Sequence, residues 1–157
     1  MAEIHIYTDG AARGNPGPGG YGIVLISGQH QKELSAGYKF TTNNRMELLA
    51  VIVALETLKP GRHAIQIYSD SKYVTDAINK KWIQGWVRKG WKEVKNPDLW
   101  QRLLPLIQAY QPQFNWVKGH ASNAMNNRCD VLATTVADNG PWLRDTVYEA
   151  IHAKGLA

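Results

Sequence analysis

Ile6-Tyr7-Thr8-Asp9-Gly10 and Ile67-Tyr68-Ser69-Asp70-Ser71 are two versions of one local phrase. Each is the end of an apolar run, each closes on an aspartate, and each aspartate is followed by a small residue. The spacing predicts strands over Glu3–Thr8 and Ala64–Ser69. Between them, Tyr21–Ile26 and about Lys32–Phe40 also read as strands, joined by the turn-forming Asn15-Pro16-Gly17-Pro18-Gly19-Gly20 and by Ser27-Gly28-Gln29. Links this short favour antiparallel neighbours. A helix over Arg45–Lys59 comes next, capped by Asn43 or Asn44. Its apolar stripe is Met46, Leu49, Ala50, Val53 and Ala54, and Lys59-Pro60-Gly61 stops it.

Beyond Asp70, Ser71–Asn79 and Trp82–Arg88 read as short helices. Asn96-Pro97-Asp98 opens another that runs to about Tyr110, with Pro105 inside it. Gln113–Lys118 is a fifth strand. The polar stretch Gly119–Asn127 reads as a loop before a last helix, from about Arg128 to Ala137, closed by Asn139-Gly140-Pro141. The order βββαβαβα, with extra helices before the fifth strand, implies an α/β fold: a mixed five-stranded sheet flanked by helices. Residues 1–157 are expected to form a single domain, since no repeat, low-complexity tract or long linker divides them.

In a sheet whose first and fourth strands are parallel neighbours, Asp9 and Asp70 end side by side. Two carboxylates so placed repel unless protonated or bridged by a cation, and Mg²⁺ is the hard, oxygen-seeking ion suited to that position. Glu47 and Asp130 are each expected in the first turn of a helix. Four acids from four elements can converge on one edge of the sheet, the minimum for a two-metal phosphodiesterase site. Taken singly, each also has a structural reading. Asp9-Gly10 is a good turn dipeptide, and an acid in a helix's first turn complements the dipole. Spacing alone makes four ligands a hypothesis.

The composition is that of an ordinary globular chain, 44% hydrophobic and 20% charged, which excludes a disordered tail-like protein. No stretch approaches the ~20 apolar residues of a membrane span, and the N-terminus lacks signal-peptide character. A lone cysteine, Cys129, forms no internal disulfide, and a cytoplasmic location is the default. The net charge of +5 fits a polyanionic partner. Its distribution is more informative. Lys80, Lys81, Arg88, Lys89, Lys92 and Lys95 interleave with Trp82, Trp86 and Trp91, opposed only by Glu93. A monomer is expected.

The strings Tyr7-Thr8-Asp9-Gly10, Gly14-Asn15-Pro16-Gly17-Pro18-Gly19-Gly20-Tyr21-Gly22 and Thr41-Thr42-Asn43-Asn44-Arg45-Met46-Glu47-Leu48 resemble the type 1 ribonuclease H family, bacterial form. So do Ser69-Asp70-Ser71, Trp116-Val117-Lys118-Gly119-His120-Ala121 and Asn126-Asn127-Arg128-Cys129-Asp130. The resemblance runs in order from about Ile4 to Ala137, and it implies a ribonuclease H-like fold. It also implies a metal-dependent endonuclease that cuts the RNA strand of an RNA–DNA hybrid, leaving 5′-phosphate and 3′-hydroxyl ends.

By the same resemblance, Asp9, Glu47, Asp70 and Asp130 are catalytic metal ligands for Mg²⁺, two ions during catalysis with Mn²⁺ a substitute. His120 assists proton transfer or product release. Asn15, Asn43 and Asn44 read the RNA strand, as suits an amide that both donates to and accepts from a 2′-hydroxyl. Thr42 helps hold a phosphate of the DNA strand. Lys81, Trp82, Arg88 and Lys89 belong to a basic, tryptophan-bearing protrusion along that strand, with the tryptophans expected inward and the lysines outward.

The chain departs from the family pattern in four places. The protrusion is short after Trp91, and Ser122-Asn123-Ala124-Met125 lacks His-Pro-Glu character. Asn127 and Val131 replace acids, and Lys72 stands where a neutral amide is common. Two rival readings are a different carboxylate nuclease on the same fold and a hybrid-binding module without catalysis. The asparagine-rich strings speak against the first, and the presence of all four acids against the second.

Overall fold

The computed structural model describes residues 2–118 and 123–155. Strands β1 (Ala2–Ala12), β2 (Gly17–Ser27) and β3 (His30–Thr41) form an antiparallel meander. Helix α1 (Asn43–Thr57) leads to β4 (His63–Ser69), which pairs parallel to β1 with Tyr7 opposite Tyr68. Helices α2 (Lys72–Asn79), α3 (Trp82–Arg88) and α4 (Pro97–Tyr110) precede β5 (Gln113–Trp116), parallel to β4. Helix α5 (Ala124–Asn139), a two-residue strand β6 (Trp142–Leu143) and α6 (Thr146–Ala153) complete the described chain. The sheet order is β5-β4-β1-β2-β3-β6. The expected parallel pairing of the two acid-bearing strands is therefore present.

The sheet has six strands where the sequence reading expects five. β6 pairs with β3 through only Gly37–Trp142 and Tyr38–Leu143. A strand of two residues following a proline carries no periodicity, so nothing local announces it. Helix α5 also starts four residues before the expected Arg128, because Asn123 caps it by accepting from the N–H groups of Met125 and Asn126. The β2 strand starts at Gly17, inside the stretch expected to turn. At α1 the cap is Thr42, whose side chain accepts from the Arg45 N–H, rather than either asparagine.

Alternation on β2 separates the two faces. Tyr21, Ile23 and Leu25 join Ile4, Ile6, Ile65 and Ile67 in the core beneath α1, while the opposite face lies against α5. Helix α1 is covered by the sheet on one side and α4 on the other, so Leu48, Val51, Ile52 and Leu55 are buried as well as the expected stripe. Val53, assigned to that stripe, is only half-buried. Trp100 and Leu103 of α4 fill the outer side of this core, and the helix continues through Pro105. On the far face, a Cβ on Gly22 would lie 2.2 Å from the Cys129 carbonyl oxygen. Glycine is what allows α5 to approach the sheet this closely.

Candidate active site

The ends of β1 and β4, the start of α1 and the flank of α5 meet at one edge of the sheet. There they enclose an open cleft of about 480 Å³. Asp9, Glu47, Asp70 and Asp130 all line it, together with Asn43, Asn44 and Lys72. Oxygens of Asp9, Glu47 and Asp70 lie within 4.8 Å of one another. Asp130 shares the cleft wall and bears on Asp9 through its charge. The first-turn positions expected for Glu47 and Asp130 are not found. Helix α1 begins at Asn43 and α5 at Ala124, so both acids fall in later turns. A favourable helix dipole is then a weak reason for either acid to be where it is.

Backbone contact places Glu47. A Cβ on Gly10 would lie 2.5 Å from the Glu47 nitrogen and 2.6 Å from the Met46 carbonyl carbon. The missing side chain lets α1 rest directly on β1. The Gly10 N–H then donates to Asp9 Oδ1 at 2.9 Å and to Glu47 Oε1 at 2.8 Å. Glu47 is 3% exposed, and its Oε2 is buried without a hydrogen-bond partner. Burial, followed by the neighbouring Asp9 and Asp70, holds the Glu47 carboxyl well above its ordinary range. Burial also pushes Asp9 up to about 7, with Asp70 and Asp130 adding to the shift and hydrogen bonds from Glu47 and Gly10 opposing it.

An orphaned buried carboxylate oxygen beside two further acids is costly as it stands. A divalent cation would satisfy the oxygen and reverse the electrostatic penalty on all three groups. The donor set is all carboxylate oxygen, which suits a hard ion. The residues present therefore fit a divalent metal.

Asn126 has a part that the sequence reading does not assign. Its Nδ2 donates to the Thr8 carbonyl at 3.4 Å and the Tyr68 carbonyl at 3.3 Å, so one side chain spans both acid-bearing strands just before their aspartates. Its place in the Asn126–Asp130 string is the available signal. Trp116 is a second such residue. Its indole N–H donates to the Asp70 carbonyl oxygen at 3.0 Å.

The other expected site residues divide into groups. Asn43 and Asn44 are exposed in the cleft wall. Asn15 sits beside them, its Oδ1 accepting from the Asn43 N–H at 3.0 Å. Thr42 is engaged as the helix cap. Lys81, Trp82, Arg88 and Lys89 are exposed on α3 and its flanks, outside the cleft. The inward placement expected for the tryptophans holds for Trp86 and Trp91, which pack on the core, but not for Trp82. Trp82 is 43% exposed, with the Lys80 ammonium over its ring. Trp86 takes the inward position by packing edge-on against Trp100, leaving Trp82 on the outer side of the short helix. His120 lies outside the described residues.

A family model described as RNase H matches residues 1–138. The chain belongs to the RNase H family. A ribonuclease H of Syntrophus aciditrophicus is 52% identical over 151 residues, covering 93% of this chain and 87% of that protein. Among solved structures, LC9-RNase H1, described as a type 1 RNase H with the type 2 active-site motif, superposes with a TM-score of 0.78. It is 28% identical, over 88% of this chain and 73% of that one. LC11-RNase H1, solved in complex with an RNA/DNA hybrid, is similar at a TM-score of 0.60 and 30% identity, covering 86% of this chain and 96% of that one. Membership makes this RNase H a ribonuclease, a hydrolase of phosphodiesters. No described helix is long and apolar enough to cross a membrane.

Proposed function

We propose that this RNase H is an endonuclease that hydrolyses the RNA strand of RNA–DNA hybrids, with Asp9, Glu47, Asp70 and Asp130 holding Mg²⁺. The observation that carries the reading is the cleft in which these four acids meet, three of them with oxygens within 4.8 Å of one another. Mg²⁺ bound there, as two ions with Mn²⁺ a substitute, supplies activation of a water and charge stabilisation at the leaving oxygen.

The chain's own residues supply position. Gly10 fixes the Asp9 and Glu47 carboxylates through its N–H, and Asn126 ties together the strand ends that carry Asp9 and Asp70. Asn43 and Asn44 present amides to the cleft, and Asn15, with its oxygen occupied, retains its NH₂ as a donor for a 2′-hydroxyl. Thr42 keeps its hydroxyl proton for a phosphate oxygen while its oxygen caps α1. His120 assists proton transfer or product release. Lys81, Trp82, Arg88 and Lys89 lie along the DNA strand and contribute salt-sensitive affinity. Water's oxygen joins phosphorus as the P–O3′ bond breaks, giving 5′-phosphate and 3′-hydroxyl ends. The whole of residues 1–157 acts as one domain, as a monomer, in the cytoplasm.

The test is incubation of the protein with labelled hybrid, duplex DNA and duplex RNA, with Mg²⁺ and with chelator. Metal-dependent cleavage of the hybrid alone is expected, and Asp70→Asn abolishes it while the fold persists. Cleavage of duplex DNA, or hybrid binding without cleavage, would overturn the reading.

A further inference from the structure

Lys72 is the first residue of α2, two residues beyond Asp70, and it lines the acidic cleft. Its ammonium lies 4.7 Å from the centre of the Trp116 ring. That indole also donates its N–H to the Asp70 carbonyl oxygen. One aromatic side chain therefore holds the backbone of a cleft acid with its edge and a lysine with its face. Trp116 does this while 46% exposed, so the ring is a surface platform and not part of the core.

A cation at a helix N-terminus is opposed by the helix dipole, and an exposed lysine ordinarily keeps its side chain mobile. Both costs are offset if an anion is received there. Among the described residues, the cationic side chains that line the cleft are Arg13, Lys72 and Lys118, and Arg13 is engaged by Asp138 at 2.7 Å. A phosphodiester entering among four carboxylates is repelled by them, and Lys72 is a cation that the structure holds in place beside them. We propose that Lys72, stacked on Trp116, is a substrate-positioning residue that contacts a backbone phosphate of the nucleic acid at the mouth of the cleft. The inference rests on the proposed hybrid substrate.

Binding of labelled hybrid, measured in chelator across a salt series, separates a phosphate contact from other uses of the charge. Each phosphate contact contributes about 0.9 to the slope of log affinity against log salt. Lys72→Gln is expected to reduce the slope by about that amount and weaken binding several-fold at low salt. Lys72→Arg retains the slope. Trp116→Phe, which keeps a smaller aromatic face and loses the indole N–H, retains most of it, whereas Trp116→Leu, which has no aromatic face, loses affinity. An unchanged slope in Lys72→Gln overturns the proposal. So does an unchanged slope accompanied by a shifted Mg²⁺ midpoint for cleavage, which would assign the charge to the metal site. Either result leaves hybrid cleavage by the parent protein intact, whereas failure of the parent to cleave hybrid would sink the underlying reading instead.

Discussion

Asp9 and Glu47 share one backbone donor: the Gly10 N–H reaches Asp9 Oδ1 at 2.9 Å and Glu47 Oε1 at 2.8 Å. Two buried carboxyls on one N–H cannot both be comfortably ionised without a cation. Burial first, and neighbouring acids second, raise both, Asp9 to about 7 and Glu47 well above its usual range. A carboxyl with a raised folded-state pKa binds more protons folded than unfolded. Its stabilising effect is full below the unfolded value near 4 and is lost as pH rises through the folded one. Metal-free protein is therefore expected to melt at progressively lower temperature as pH rises from about 4.5 to about 7.5. Asp9→Asn should flatten that dependence and raise metal-free stability at the upper end by on the order of 2 kcal/mol, while removing cleavage. Thermal melts in chelator check this; a parent protein whose stability climbs steadily over the interval contradicts it.

The same pair links metal to protons. Ligand carboxylates must be ionised to bind, so Mg²⁺ binding displaces protons from Asp9 and Glu47. The Mg²⁺ concentration needed for half-maximal cleavage is expected to fall as pH rises from about 6 to about 8. Titration calorimetry near the lower end of that range, in buffers of different ionisation enthalpy, should show net proton release. Zero release would mean that both acids are already ionised.

Gly10 is the pivot of this geometry, and Gly10→Ala tests it. The added methyl meets Glu47 and Met46 backbone at 2.5 and 2.6 Å, neither of which is a flexible side-chain tip. Helix α1 must move away from β1. Overpacking of this kind costs about 1–3 kcal/mol, and misplacing a catalytic group by about 1 Å costs ~100-fold in rate. The variant should fold with reduced stability and cleave at least that much more slowly at saturating hybrid. Near-normal turnover would show that the contact between α1 and β1 is not what sets the site.

Asp9 and Asp70 are readable from the sequence because two similar strings end in the same way, and parallel pairing of their strands accords with the element order. The convergence of Glu47 and Asp130 is also readable, but their helical positions are not. Asn123 caps α5 inside a stretch that looks like continuous polar loop, and Thr42 competes with two equally plausible asparagine caps. Trp82 and Trp86, four residues apart on one short helix, look equivalent in sequence. Only Trp86 finds a buried partner, Trp100. The two-residue β6 has no local signature, and its pairing with Gly37 and Tyr38 of β3 alone makes it a strand. Arg45 is least visible of all. It sits in a string dominated by its neighbours' roles, and its partners Asp98 and Asp145 are 53 and 100 residues away.

Arg45 carries the last prediction. It is 2% exposed and uses its whole guanidinium: Nε and Nη2 donate to Asp145 at 2.7 and 2.9 Å, and Nη1 and Nη2 donate to Asp98 at 2.9 and 2.8 Å. Burial alone would lower its pKa, but the two carboxylates more than compensate and raise it, so the group stays charged. Asp145 in turn caps α6 and accepts from the Thr41 hydroxyl at 2.7 Å. One cation therefore ties α1 to α4 and to the C-terminal helix. Removing one member of a buried pair leaves charge uncompensated, at a cost of about 3–5 kcal/mol. Arg45→Ala should lose that much in denaturant unfolding. Arg45→Lys should lose less but still a large part, because one ammonium cannot make paired bonds to two carboxylates. Asp145 also serves α6 and Thr41, so Asp98 is the partner to remove: Arg45→Ala combined with Asp98→Ala should lose less than the sum of the two single changes, each of which leaves the other's charge unpaired. A double variant whose loss equals the sum of the two single losses would show that Asp98 is held by something other than Arg45.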